Sequence, residues 1–317
     1  MAEKKYRIGI DLGGTNIKVG VIDEDHKILG KKSTKTLPER NWQVVVEDMG
    51  KTTLALLDEL GIGIDECIKL GMGSPGLIDH INGVVGFAAN LGWTDIPVLA
   101  ELRRYIDLPM RLSNDANCAA LGETLAGAGK GSRNVILVTL GTGVGGGVVV
   151  EGRLQEGGSA GGMELGHTLL VMNGEECTCG RKGCMEAYAS ASSLARFARR
   201  AAEADKKSLM WEMCRGDLAN MNGAIPFKAA QRGDATAQEV VDNYIAYLGE
   251  GIINFINIWR PEKVLLGGGI SNEGAPLTDP LNAYIKPRCF GGEKGYVAPI
   301  EISVFGNDSG FIGAAAL

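Results

Sequence analysis

The sequence predicts an α/β protein of two lobes, and three observations carry that prediction. Apolar strand-like runs alternate with helix-like runs along the whole chain. A unit of strand, glycine turn and strand occurs twice, at residues 6–23 and again at 134–154. The chain has 317 residues, above the size at which a single hydrophobic core stops growing.

The elements follow in chain order. Residues 6–23, YRIGIDLGGTNIKVGVID, predict a strand, a tight glycine turn and a second strand. In that second strand Ile17, Val19 and Val21 alternate with Lys18 and Gly20, the period of two that puts alternate side chains on one face. Residues 67–73 predict a strand that runs into the Pro75-Gly76 turn. The stretch MRLSNDANCAALGETLAGAG, from Met110, predicts a short strand that breaks at Ser113-Asn114-Asp115 into an alanine-rich helix. Asn114 or Asp115 then falls at the N-cap or in the first turn. Residues 134–154, NVILVTLGTGVGGGVVVEGRL, repeat the plan of 6–23. Residues 191–204 predict a helix. From Ala235 to Trp259 the apolar residues keep three-four spacing, which predicts a long amphipathic helix stopped by Pro261. KVLLGGGIS, 263–271, predicts a strand and glycine turn, and GNDSGFIGAAAL at the end a glycine turn and a small-residue helix. The lobes are expected at 1–113 with 301–317, and at 114–300.

Composition narrows the function classes. Hydrophobic residues make up 45% and charged residues 22%, ordinary for a globular chain. The net charge of -6 gives no general field for nucleic acid, so that partner is not expected. No segment approaches 18 uninterrupted apolar residues, so no membrane span is expected. Seven cysteines, an odd number, without a signal-peptide pattern at the start, predict a reducing cytoplasmic setting rather than a disulfide framework. The 47 glycines gather in short runs after apolar runs, where backbone can approach a ligand closely.

Three glycine turns follow strands: Gly13-Gly14-Thr15, Gly141-Thr142-Gly143 and Gly267-Gly268-Gly269. Bare N–H groups in such turns form anion nests, and a threonine hydroxyl adds a donor. A Walker loop needs a lysine in G-x-x-x-x-G-K-[ST], which no glycine turn here carries. Gly141, Gly143 and Gly146 match G-x-G-x-x-G, but Val148-Val149-Val150 follow, which is strand material where a dinucleotide-binding loop opens a helix. The pattern of strand, DLGGTN, strand and then strand, LGTGVGGG, strand resembles the two phosphate-binding hairpins of the sugar kinase, actin and Hsp70 superfamily. LLGGGIS looks like that superfamily's adenosine loop. The resemblance implies a ribonuclease H-like, hexokinase-like fold with ATP and Mg²⁺ in a cleft between lobes. It places Asp11, Gly13, Gly14, Thr15, Asn16, Lys18, Gly141, Thr142, Gly143, Gly267, Gly268 and Gly269 on the nucleotide side, Asp11 holding Mg²⁺ through water.

Phosphoryl transfer to an alcohol needs positioning, charge neutralisation and a proton acceptor. Asp115 is the candidate base. Taken alone, SNDAN reads as a helix cap and nothing more; the phosphate hairpins turn the reading towards catalysis. His167, Cys177, Cys179 and Cys184, spaced H-x9-C-x-C-x4-C, offer one nitrogen and three sulfurs, a set that suits tetrahedral Zn²⁺. Gly174, Gly180 and Gly183 allow the turns that convergence needs. The C-x-x-C spacing of a redox site is absent from this stretch. The spacing is not a common finger pattern, so on spacing alone zinc stays one reading among others.

ELGH from Glu164, followed by CTCGRKGCME from Cys177, is similar to the signature of the ROK family of bacterial sugar kinases. DLGGTN, NDANCAALGE, LGTGVGGG and LGGGIS match in the same order, and the similarity runs over essentially the whole chain. The family includes glucokinases, which look nearest, and N-acetylhexosamine kinases. The resemblance implies a structural zinc on His167, Cys177, Cys179 and Cys184 and a base at Asp115. Asn114, Asp115, Glu164, His167 and Glu186, with Asn90 and the backbone near Gly76, would hold sugar hydroxyls. With one His167 nitrogen on zinc, the other carries the proton and donates. The expected activity is ATP-dependent phosphorylation of the 6-hydroxyl of glucose. N-acetylmannosamine or N-acetylglucosamine as substrate, and polyphosphate as donor, stay open at this point. The family also holds sugar-responsive regulators with an added DNA-binding domain, for which the first hairpin starts too early in this chain. A homodimer or homotetramer is expected from the resemblance.

Overall fold

The computed structural model describes residues 5–158 and 161–317. Its strands are β1 (Tyr6–Leu12), β2 (Asn16–Ile22), β3 (Ile28–Lys35), β4 (Cys67–Ser74), β5 (Leu77–Asp79), β6 (Val84–Ala88), β7 (Trp93–Ile96), β8 (Met110–Asn114), β9 (Val135–Leu140), β10 (Val144–Val150), β11 (Arg153–Leu154), β12 (Lys263–Gly267) and β13 (Ile300–Ile302). Its α-helices are α1 (Trp42–Leu60), α2 (Val98–Leu102), α3 (Asp115–Leu125), α4 (Glu186–Ala189), α5 (Ala191–Ala204), α6 (Leu209–Met213), α7 (Ala224–Gln231), α8 (Ala235–Trp259), α9 (Ala275–Ile285) and α10 (Ser309–Ala316).

Two five-stranded sheets have the orders β3-β2-β1-β4-β8 and β11-β10-β9-β12-β13. Each runs third, second, first, fourth, fifth in its own segment, so the repeated glycine hairpin heads a repeated topology. In the first sheet β2 is antiparallel to β1, while β4 and β8 continue parallel. In the second, β11 is antiparallel to β10 and β13 parallel to β12. A small antiparallel sheet, β5-β6-β7, completes the strands.

Alternation explains the first hairpin. Ile8, Ile10 and Leu12 of β1 and Ile17, Val19 and Val21 of β2 are fully buried in one cluster with Val45, Val46 and Met49 of α1. The expectations above do not include α1, although its buried residues keep three-four spacing. Asn41 caps it by accepting from the Gln43 N–H at 3.0 Å, and Gly61 ends it at φ 65°. Helix α8 has the expected limits. Asp234 accepts from the Ala237 N–H at its start, and Arg260 turns left-handed at φ 47° before Pro261.

The small residues of α10 have a packing reason. A Cβ on Gly71 of β4 would lie 1.7 Å from the Ala314 carbonyl oxygen, and one on Gly9 of β1 1.8 Å from that of Phe311. A Cβ on Gly122 of α3 would lie 2.3 Å from the Ser309 oxygen. Helix α10 therefore touches β1, β4 and α3 backbone to backbone, which larger side chains forbid.

The chain forms two compact units, residues 1–137 with 147–163 and 304–317, and residues 138–146 with 164–303. This differs from the expected division at 113/114. The reason is α3, which packs against α10 and so stays in the first unit. Among the described residues no helix is long and apolar enough to cross a membrane.

Candidate active site

In the first unit, the turn between β1 and β2 is closed by its own backbone. The Gly13 N–H donates to the Asn16 carbonyl at 2.9 Å. Buried Thr36 pins the tip, its N–H donating to the Thr15 carbonyl at 3.0 Å and its hydroxyl to the Gly13 carbonyl at 2.6 Å. The Lys35 amine donates to Asn16 Oδ1 at 3.0 Å. Asp11 stands at the end of β1, its carboxyl packed so closely on Gly310 that a Cβ there would lie 2.8 Å from Asp11 Cγ. Burial pushes the Asp11 carboxyl up to about 6; Lys18 opposes the shift, and Asp115 and Asp308 add to it. Lys18 is engaged at 3.8 Å from Asp11 and donates to the Asn307 carbonyl at 2.8 Å. A half-buried carboxyl in the field of two more carboxylates, beside a glycine nest, fits a divalent cation.

Asn114 and Asp115 stand where β8 becomes α3. Asn114 is the N-cap, with Oδ1 accepting from the Ala116 N–H at 2.9 Å, and its amide donates to the Gly76 carbonyl at 3.2 Å. Asp115 Oδ1 accepts from the same N–H at 2.8 Å. Burial raises the Asp115 pKa, and the backbone N–H groups of Ala116 and Asp115 oppose the rise. So Asn114 takes the cap, and the cap reading of SNDAN does not exclude a separate role for its neighbour Asp115. Gly76, at φ 94°, has no room for a side chain: a Cβ would lie 2.1 Å from the Phe87 carbonyl oxygen. The Asn90 amide nitrogen lies 3.2 Å from where a Gly14 Cβ would sit, beside the first glycine turn. Two supporting residues escaped sequence reasoning. One is Thr36; the other is Glu156, whose Oε1 accepts from buried Ser113 at 2.5 Å across 43 residues. No local motif signals partners that distant.

In the second unit, the Gly141 N–H donates to the Gly143 carbonyl at 3.0 Å, and the Gly141 carbonyl accepts from the Ala191 N–H at 2.8 Å. Thr142 is exposed between them. Gly267 ends β12. Gly268, at φ 82°, lies against the end of β9, where a Cβ would come 2.5 Å from the Leu140 carbonyl oxygen. Exposed Gly269 follows, and the Ser271 hydroxyl donates to the Gly268 carbonyl at 2.7 Å.

The four expected ligands converge in the same unit. One ligand atom from each of His167, Cys177, Cys179 and Cys184 lies within 4.8 Å of the others. His167 Nδ1 is 3.5 Å from Cys177 Sγ, and Cys179 Sγ is 3.7 Å from Cys184 Sγ. Tetrahedral zinc, with bonds of about 2.3 Å to sulfur and about 2.0–2.1 Å to nitrogen, needs edges of about 3.5–3.8 Å, so the donors fit. Burial pushes the Cys177 thiol up to about 12 and raises that of Cys184, while the Arg181 backbone N–H lowers that of Cys179. Gly183 lets the loop close: at φ 83°, its Cβ would lie 1.7 Å from the Val171 carbonyl oxygen. Tyr188 backs the loop, stacked on Phe197 and tilted against Tyr247, and its oxygen accepts from the Glu175 N–H at 2.6 Å. Glu164 precedes the single 3₁₀ turn Leu165–His167, and its carbonyl accepts from the His167 N–H at 3.1 Å. Glu164 is exposed, while His167 and Glu186 are half-buried. Glu186 opens α4 and accepts from the Val144 N–H at 3.0 Å through Oε2.

The family model described as ROK family matches residues 7–317. The chain belongs to the ROK family. Among ROK relatives it is 38% identical to a glucokinase of Thermotoga maritima, over 98% of this chain and 96% of that one. It is 35% identical to a glucokinase of Halalkalibacterium halodurans, over 100% and 96% of the two chains. The crystal structure of a ROK family glucokinase from Streptomyces griseus, in complex with glucose and AMPPNP, is similar with a TM-score of 0.81 and 32% identity, each chain covered to 98%. The expected fold class, the two-lobed α/β fold of actin and the hexokinases, is the fold of this ROK chain.

Proposed function

We propose that this ROK chain is an ATP-dependent hexose kinase, a glucokinase, that phosphorylates the 6-hydroxyl of glucose with Asp115 as general base. One observation carries the reading: Asp115, its proton affinity raised by burial, stands at the β8–α3 corner within the electrostatic field of Asp11, beside the Gly13–Asn16 nest. A carboxylate so placed accepts the 6-hydroxyl proton as that oxygen attacks the γ-phosphorus and the bond to the ADP oxygen breaks. The nests at Gly13–Asn16 and Gly141–Gly143 would hold phosphates, and Gly267–Gly269 the adenosine end. Mg²⁺, when bound near Asp11, supplies the charge neutralisation that transfer needs.

Asn90, Asn114, Glu164, His167 and Glu186, with the backbone at Gly76, would hold the sugar. His167 Nδ1 faces the thiols, which leaves Nε2 to carry the proton and donate to a sugar oxygen. The donor set supports Zn²⁺ as a structural ion. A cytoplasmic setting and assembly as a homodimer or homotetramer go with the family. An N-acetylmannosamine or N-acetylglucosamine kinase is the alternative within the family. The regulator reading has less support, since the relatives named above are enzymes by name. The test is direct: purified protein with MgATP and glucose should release ADP and glucose 6-phosphate in equal amounts, with the phosphate position read by phosphorus NMR. No hexose-dependent ADP release from any hexose would overturn the reading.

A further inference from the structure

We infer that Thr178 is a positioning residue which, through Glu186, ties the cysteine loop to the glycine turn at Gly141–Gly143. Thr178 lies between two of the clustered cysteines, Cys177 and Cys179, and its hydroxyl donates to Glu186 Oε1 at 2.6 Å. The other oxygen of that carboxylate, Oε2, accepts from the Val144 N–H at 3.0 Å. With both oxygens engaged, the carboxylate is held in one orientation. The turn is packed against it as well as bonded to it. A Cβ on Gly143 would lie 2.3 Å from Glu186 Oε2.

Val144 is gripped on its other side too. Its carbonyl oxygen meets Gly166, where a Cβ would lie 2.0 Å away, and Gly166 sits between Glu164 and His167. So the segment carrying His167 and the loop carrying the three thiols converge on one residue. That residue directly follows the glycine turn. Thr178 fixes Glu186, and Glu186 sets the direction of the Val144 N–H; an ion held by His167, Cys177, Cys179 and Cys184 would in turn fix Thr178. In the kinase reading proposed above, that turn receives phosphate, so the loop governs nucleotide affinity.

Thr178→Val keeps the shape and removes the hydroxyl, while Thr178→Ser keeps the hydroxyl. Hydrogen exchange at the Val144 amide reads the strut without any ligand, and calorimetric titration with MgAMPPNP in the absence of sugar reads its consequence. Thr178→Val should retain its zinc, exchange faster at Val144 and bind MgAMPPNP about threefold to tenfold more weakly, less than the direct loss of a charge-assisted hydrogen bond because the effect reaches the turn only through Glu186. Thr178→Ser should restore both values. Wild-type protein stripped of zinc should show the same faster exchange. If Thr178→Val also sheds zinc, Glu186→Gln breaks the strut from its other end and must speed exchange at Val144 with the metal in place. Wild-type exchange and affinity in Thr178→Val would overturn the inference, and so would faster exchange with unchanged affinity. Faster exchange in a protein that phosphorylates no hexose would instead overturn the kinase reading and leave the strut standing.

Discussion

Asp115 and Asp11 show how burial raises the proton affinity of ordinary carboxyls. For Asp115 burial raises the pKa, and a base must be ionised to work. Activity is therefore lost as pH falls through the raised value, so the acid limb of kcat/KM should lie above the range of an ordinary exposed carboxylate. Asp115→Asn keeps the shape and removes the base. Its kcat should fall on the order of 10²-fold or more, with little change in sugar affinity by calorimetry and no acid limb in what remains. Wild-type kcat in this variant would remove Asp115 from the mechanism. Asp11 is the second case. Its carboxyl goes from 3.8 to about 6, so between those values the folded chain binds more protons than the unfolded one. Stability then drops as pH rises through that window, and the deficit is complete above it. In the absence of Mg²⁺ and nucleotide, Asp11→Asn should be more stable than wild type at pH 7.5, by about 1–3 kcal/mol, and no more stable below pH ~4. Urea unfolding at the two pH values decides this, and the same variant should lose activity.

Elements were legible where their signal is local. Helices 191–204 and 235–259 have the limits that spacing and Pro261 suggested, because caps and periodicity are written in neighbouring residues. The last helix was readable as small-residue, but the reason for its smallness lay far away in the chain. Gly9, Gly71 and Gly122 admit it at backbone contact. Gly71→Ala should therefore cost about 1–3 kcal/mol or more, since neither β4 nor α10 can give way cheaply. Gly86→Ala is the control: its Cβ would meet the nearest atom at an ordinary 3.4 Å. Equal melting temperatures for the two variants would contradict the packing argument. The cysteine loop makes its own prediction. Cys179→Ser removes one donor of four, so zinc content and melting temperature should both fall. Elemental analysis of wild-type protein purified without chelator, showing well under one zinc per chain, would remove the metal from this loop.

At the scale of the molecule, motif order was enough to name the family, while the division into units was not. The boundary depends on α3 meeting α10, a pairing between residues nearly two hundred positions apart that no local pattern announces. Asp11, Asn90, Asn114 and Asp115 are carried by one unit; Glu164, His167, Glu186 and the cysteine loop by the other. In the kinase reading proposed above, the choice of sugar falls to Glu164, His167 and Glu186 of the second unit. Glu164 and Glu186 bring carboxylates, and His167, with Nδ1 towards the thiols, brings one N–H donor. Hydroxyls suit that set because each both donates and accepts. An acetamido group in place of the 2-hydroxyl removes an O–H donor and adds bulk. A site built for hydroxyls then leaves acceptors unpaired, at a cost of about 1–3 kcal/mol for each. Glucose should therefore exceed N-acetylglucosamine and N-acetylmannosamine in kcat/KM by about tenfold or more, measured with mannose in one series at fixed MgATP. If either acetamido sugar is the better substrate, the glucose preference falls, and the roles proposed for Asp115 and His167 pass to a kinase of acetamido sugars.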